Sequence, residues 1–174
     1  MHNVKEQINT DFQKTTTELM VILNNFSETE LNKVPFPGSW TAGQVGDHLL
    51  KSFRVWDIFK GNSTEPKRAY DHNCKLLSDI FLNYEIKFNV EPHEFNYPSD
   101  DAINKETLLK ELKLVINDIN AFSENNKLHL LCLDREFPNI GYLTRYEWLH
   151  FFNVHTQRHI YQLKNIAKKL KESL

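Results

Sequence analysis

Four long stretches of this chain repeat their apolar residues at helical spacing, and little else in it does. In residues 4–26, Val4, Ile8, Phe12, Thr15, Leu19, Ile22, Leu23 and Phe26 keep the i, i+3/i+4 interval of one buried helix face. A second stripe, Val45, Leu49, Ser52, Phe53, Trp56 and Phe59, follows Thr41, with Gln44 three residues on as in a capping box, and Gly61-Asn62 ends it. A third occupies residues 104–123 through Leu108, Leu109, Leu112, Val115, Ile116 and Ile119. The last opens at Thr144, with Glu147 completing another capping box, and runs to about Lys171. Helices with one apolar face each bury it against one another, so the expected fold is all-α, four helices around one core.

The connections are uneven. Pro35-Phe36-Pro37-Gly38 breaks the chain before the second helix. Residues 63–101 hold a short helix near residues 71–81 and are then punctuated by Pro92 and Pro98, Pro66 having preceded it. That length is too great for a turn and implies a long crossover between helices two and three. Residues 128–133 have strand-like composition but no partner run in sight, and read as loop; Pro138 and Gly141 keep the chain irregular up to the last helix. No repeat, low-complexity tract or second domain is present, so residues 1–174 read as one domain.

Composition removes several function classes. Twenty-one basic and 23 acidic residues give a formal charge of −2, which offers no field for nucleic acid or an anionic membrane. The C-terminal Lys164, Lys168, Lys169 and Lys171 decorate a helix end, where they favour its dipole. Cys74 and Cys132 stand far apart without CxxC spacing, so neither a disulfide framework nor a zinc knuckle is indicated. The N-terminus lacks the apolar core of a signal peptide, and no apolar run approaches the roughly 20 residues of a membrane span. The expectation is a soluble cytoplasmic protein.

The chemistry concentrates on histidine. His155 and His159 stand one turn apart on the side of the last helix that carries Trp148, Phe151, Phe152 and Ile166. Buried imidazoles need partners, and a pair at i, i+4 matches the bite of one divalent ion. His48 lies about 60° from the Val45–Leu49–Trp56 stripe, and meets the pair if helices two and four pack together. Three His ligands leave a position open, as in catalytic rather than structural zinc sites. The bland reading, satisfied core histidines, competes with this. His150 lies roughly 180° from His159 and points away; His2, His72, His93 and His129 read as surface residues. Gln162, on the histidine side, orients a metal-bound water or holds a His ring, and Arg158, about 60° off, binds a substrate anion or forms a surface ion pair. Gln44 is accounted for by its cap and Asp47 reads as solvated. Trp56, Trp148 and Phe151 read as core. No GxSxG, Walker or dinucleotide motif competes, and the lone Glu147–His150 spacing and the Pro-bounded Glu91 and Glu94 make no di-iron site.

The stretches GSWTAGQVGDHLLKS, residues 38–52, and YEWLHFFNVHTQRHIYQL, residues 146–163, resemble the second-helix and last-helix signatures of the DinB-like superfamily. One His early and an HxxxH near the C-terminus, each stretch with a Trp (Trp40, Trp148), is that family's order. The resemblance spans essentially the whole chain. It implies an up-down-down-up four-helix bundle, and a divalent metal on His48, His155 and His159. Zinc is the default, with nickel, iron or copper compatible with imidazole ligands. Known members imply a thiol-dependent S-transferase that joins a low-molecular-weight thiol to an electrophile; the same site suits a hydrolase acting on a small molecule. The alternative is a non-enzymatic small-molecule or partner-binding bundle with a structural or vestigial metal site. A homodimer is also expected, with Leu149, Ile160 and Tyr161 on flanks of the last helix that a second subunit covers, unless residues 63–101 cover them instead.

Overall fold

The computed structural model describes residues 2–86 and 97–172. Glu91, Pro92, His93 and Glu94 lie outside the described residues, as does the side chain of His2. The chain is mostly helical: α1 (His2–Asn25), α2 (Glu28–Leu31), α3 (Ala42–Arg54), α4 (Cys74–Phe81), α5 (Lys105–Asn125) and α6 (Arg145–Glu172). Both capping boxes form. The Thr41 hydroxyl accepts from Gln44 N at 3.1 Å and Gln44 Oε1 accepts from Thr41 N at 3.0 Å. Glu147 N donates to Thr144 Oγ1 at 3.1 Å and Thr144 N to Glu147 Oε2 at 2.8 Å. The helix begun at Thr41 tightens after Arg54 into a 3-10 turn, Val55–Lys60, before Gly61 stops it.

The apolar stripes meet in one core, with Phe12, Leu19, Leu23, Leu49, Phe53, Leu112, Ile119 and Phe152 fully or almost fully buried. Close approach of α3 to its neighbours depends on two glycines. A Cβ at Gly46 would stand 2.7 Å from Leu108 Cδ2, and one at Gly43 3.0 Å from Ile103 Cβ and 3.1 Å from the Leu31 carbonyl oxygen. Two lysines cap neighbouring helix ends: Lys105 Nζ donates to the Asn24 and Phe26 carbonyls, and Lys5 Nζ to those of Glu124 and Asn126. Each places a cation at the negative end of a helix dipole.

The loop expected at residues 128–133 is corrected. A three-stranded antiparallel sheet, β1 (Ser63–Thr64), β2 (Leu131–Phe137) and β3 (Gly141–Thr144), packs in the order β1-β2-β3. Pro138 and Asn139 lie in its hairpin turn and Gly141 begins β3, with Asn139 and Gly141 at φ 62° and 93°. The partner runs are short, and the register slips between Leu131 and Glu136, so no clean alternation marks the strands.

The crossover is fastened to α6 through Glu147. This wholly buried carboxylate takes Arg68 on both oxygens, at 2.7 and 2.8 Å, and Asn73 N at 2.7 Å, besides Thr144 N. Thr144 Oγ1 donates to the Tyr70 carbonyl at 2.6 Å. Leu149 and Ile160, expected at a subunit contact, are buried within the single chain, while Tyr161 stacks on Tyr84 of the crossover. No helix among the described residues is long and apolar enough to cross a membrane.

Candidate metal centre

The cap at Thr41 sets the phase of α3, and the box at Thr144 sets that of α6. Those phases turn His48 inward from α3 and His155 and His159 inward from α6, to 8, 7 and 7% exposure. Their Nε2 atoms converge: His155 Nε2 lies 3.1 Å from that of His48 and 3.0 Å from that of His159. The three are the His/Cys/Asp/Glu cluster of metal-binding size among the described residues, all ligand atoms lying within 4.8 Å of one another.

Proton accounting shows what the cluster needs. His159 Nδ1 lies 2.8 Å from Gln162 Oε1. An amide oxygen only accepts, so Nδ1 carries the hydrogen and His159 Nε2 presents a bare lone pair. His155 Nε2 sits between that lone pair and the Nε2 of His48, and one N–H cannot satisfy both contacts. Its other nitrogen, Nδ1, is buried with no hydrogen-bond partner among the described residues. Protonation is no remedy. Burial, then the neighbouring His159 and His48, hold His155 well below the usual imidazole range. Burial and His48 bring His159 down to about 3 against the help of Gln162. Neutral imidazoles with converging lone pairs are metal ligands. Nitrogens about 2.0–2.1 Å from a shared ion, at angles of about 90–110°, stand roughly 2.9–3.4 Å apart, which the observed contacts match.

Aromatic rings wall the cluster. Phe151 stacks on His155 with centroids 5.0 Å apart and planes at 16°, Phe81 meets the same ring at 5.5 Å, and Trp40 lies 5.2 Å from His48. Phe151 is thus both core and site wall, whereas Trp56 and Trp148 are buried core, as their stripes indicate. Phe81 carries no sequence signal for this role, since only the fold brings the end of α4 to α6. Gln162 holds His159, one of its two expected roles. The Arg158 guanidinium donates to the carbonyls of Phe81, Asn83 and Ile86, fastening the segment that carries Phe81. Gln44 uses its amide nitrogen on the Ser99 carbonyl besides capping. Asp47, expected to be solvated, is only partly exposed, accepting from Ser99 N at 2.8 Å and pairing with Lys51 at 2.9 Å. His150 is turned away, its Nε2 2.8 Å from Ser78 Oγ, and His129 pairs with Glu65 at the surface.

The chain is thus a mostly helical protein with a buried cluster of three imidazoles, between two of its helices, of a size that could hold a metal ion. The sequence profile of the DinB superfamily matches residues 11–163, and the chain belongs to that superfamily. It is similar to the uncharacterized protein YuaE of Bacillus subtilis (strain 168), 24% identical over 165 residues that cover 93% of this chain and 98% of the relative. No solved structure is a significant match.

Proposed function

We propose that this chain is a divalent-metal-dependent enzyme acting on a small molecule, as a thiol-dependent S-transferase or a hydrolase. His48, His155 and His159 hold the ion, with zinc the default and nickel or iron also suited to the donors. The observation that carries this is the convergence of three buried Nε2 atoms, that of His155 at 3.1 Å from His48 and 3.0 Å from His159. A bound cation at this point lowers the pKa of a thiol or of water, supplying a nucleophile at neutral pH. The chain's own groups do the rest. Gln162 fixes the His159 tautomer, so that Nε2 is the ligand atom. Phe151, Phe81 and Trp40 set the planes of the imidazoles and exclude water from those sides. Arg158 binds an anionic substrate group only by trading a backbone carbonyl for it; until then it holds the Phe81 wall in place.

The same reading takes the four longest helices as an up-down-down-up bundle, the protein as cytoplasmic, and the assembly as a homodimer. With Leu149 and Ile160 buried in the chain, Tyr161 is the expected contact residue still half-exposed. Light scattering that finds a monomer at micromolar concentration overturns the dimer. The catalytic part is tested by conjugation of a low-molecular-weight thiol to an electrophile, and by hydrolase substrates, with metal-loaded protein. A rate above that of His155→Ala under the same metal supply is expected; equal rates on every substrate refute catalysis at this centre and favour a binding module.

A further inference from the structure

A second cleft, 510 Å³ in volume, opens between α1 and α6 beside Tyr84. That size lies within the usual range of small-molecule sites, about 300–1,000 Å³. It is separate from the histidines. Asn153, Gln157 and Lys164 line it from α6, and at about 100° per residue they face roughly 160–200° away from His155. The helix itself stands between the two sites.

Its charged groups are of two kinds. Lys164 and Glu18 neutralise each other at 2.7 Å. Asp11 and Lys14 form no ion pair among the described residues; Asp11 Oδ1 accepts from Gln7 Nε2 at 2.8 Å, and its charge reaches His150 and Tyr146 on α6. At i, i+3 on α1 they stand about 5–6 Å apart at Cβ, on the same helix face. The cleft therefore presents an anion and a cation side by side, neither closed into an ion pair among the described residues. Asn153 adds a donor: it is only 5% exposed, its Oδ1 accepts from Gln157 at 3.4 Å, and its amide NH₂ donates to no acceptor among the described residues. That NH₂ opens on the cleft and is available to an acceptor bound there. The Tyr84 and Tyr161 rings, stacked 4.4 Å apart at 7°, form a flat plate at one end; at 41 and 46% exposure they are open to contact.

We propose that this cleft binds a small zwitterion, an α-amino acid with an aromatic side chain. Its carboxylate lies on Lys14 and the Asn153 amide, its ammonium on Asp11, and its ring against Tyr84. A lone carboxylate would meet Asp11 and a lone amine would meet Lys14, so both are disfavoured. The site makes no use of the metal, and the proposal stands or falls independently of the histidine centre.

The test is titration of L-phenylalanine into the whole chain by calorimetry or NMR. Because amino acids chelate metals, the protein is His155→Ala stripped with EDTA, its fold checked by circular dichroism; stripped wild type serves should that variant fail to fold. Saturable binding is expected. Lys14→Gln and Asp11→Asn, both surface changes, should each weaken it about tenfold, the loss of one charge-assisted contact. Phenylalaninamide and N-acetylphenylalanine should lose similar factors. Absence of saturable binding to the metal-free protein overturns the proposal. So does binding that is unchanged in both variants, or an N-acetyl derivative that binds as tightly as the free amino acid.

Discussion

Glu147 and His155 stand two turns apart on α6, and both are polar groups hidden from water. The Glu147 carboxylate is surrounded by donors: Arg68 on both oxygens, and the backbone N–H groups of Asn73 and Thr144. His155 is surrounded by groups like itself, with two Nε2 atoms at about hydrogen-bond distance and a phenyl ring against its face. A buried polar group whose partners are all supplied by the chain fixes structure. A buried imidazole whose Nδ1 has no partner among the described residues, with ring nitrogens like its own beside Nε2, is not fixed by the chain in that way. Burial alone does not separate the two cases; a count of donors and acceptors does.

The comparison is broken most forcefully at Glu147. Glu147→Ala takes the carboxylate from the Asn73 and Thr144 N–H groups and leaves Arg68 only the Ala69 and Tyr142 carbonyls, and should cost about 3–5 kcal/mol of unfolding free energy, read by urea denaturation. Glu147→Gln, which keeps one acceptor oxygen, should cost less. In metal-free protein His155→Leu should change stability by no more than about 1 kcal/mol, because it removes a group the chain does not satisfy. A loss as large as that of Glu147→Ala would mean that His155, too, is structural.

Metal-free protein should also show the histidines in its pH dependence. His159 titrates at about 3 in the fold against 6.5 for an unperturbed imidazole, and His155 is shifted in the same direction. The unfolded chain therefore binds more protons below pH 6.5, so stability is complete above that value and is lost as pH falls from 6.5 toward 3. Each histidine contributes a slope of at most about 1.4 kcal/mol per pH unit. The urea midpoint should fall over this window in EDTA, and His159→Gln should flatten the fall. A flat profile would remove the electrostatic part of the account.

The smallest effect is a thiol reading of the Glu147 end. Burial, and next the Glu147 carboxylate, push the Cys74 thiol up to about 12, and burial does the same for Cys132. Neither should be alkylated at pH 8 in the native state. Cys74 should become the faster of the two in Glu147→Gln, as mass spectrometry after brief iodoacetamide exposure would show.

Much of the histidine centre can be read from the chain because helical phase carries it. His155, His159 and Gln162 share a face of one helix, and the Thr41 box sets the phase of His48, so a packing of two helices suffices to assemble them. The Glu147 clamp cannot be read in that way. Its capping role is local and visible, but Arg68 lies 79 residues away in a segment without periodicity. The sheet is hidden for the same reason: β2 pairs with a two-residue partner, Ser63 with Cys132 and Thr64 with Leu131, far upstream, and slips register against β3. Arg158 falls between the cases, since the wheel gives its sector but not the carbonyls of Phe81 and Asn83 that occupy it.

The central claim is that His48, His155 and His159 are one ligand set, and metal analysis of natively purified protein tests it most directly. A divalent ion, at up to one per chain, should be found in the wild type and in His150→Ala, whose imidazole faces Ser78. It should be absent from His155→Ala and from His159→Ala, with both variants still folded. Unchanged metal content in those two variants would contradict the assignment.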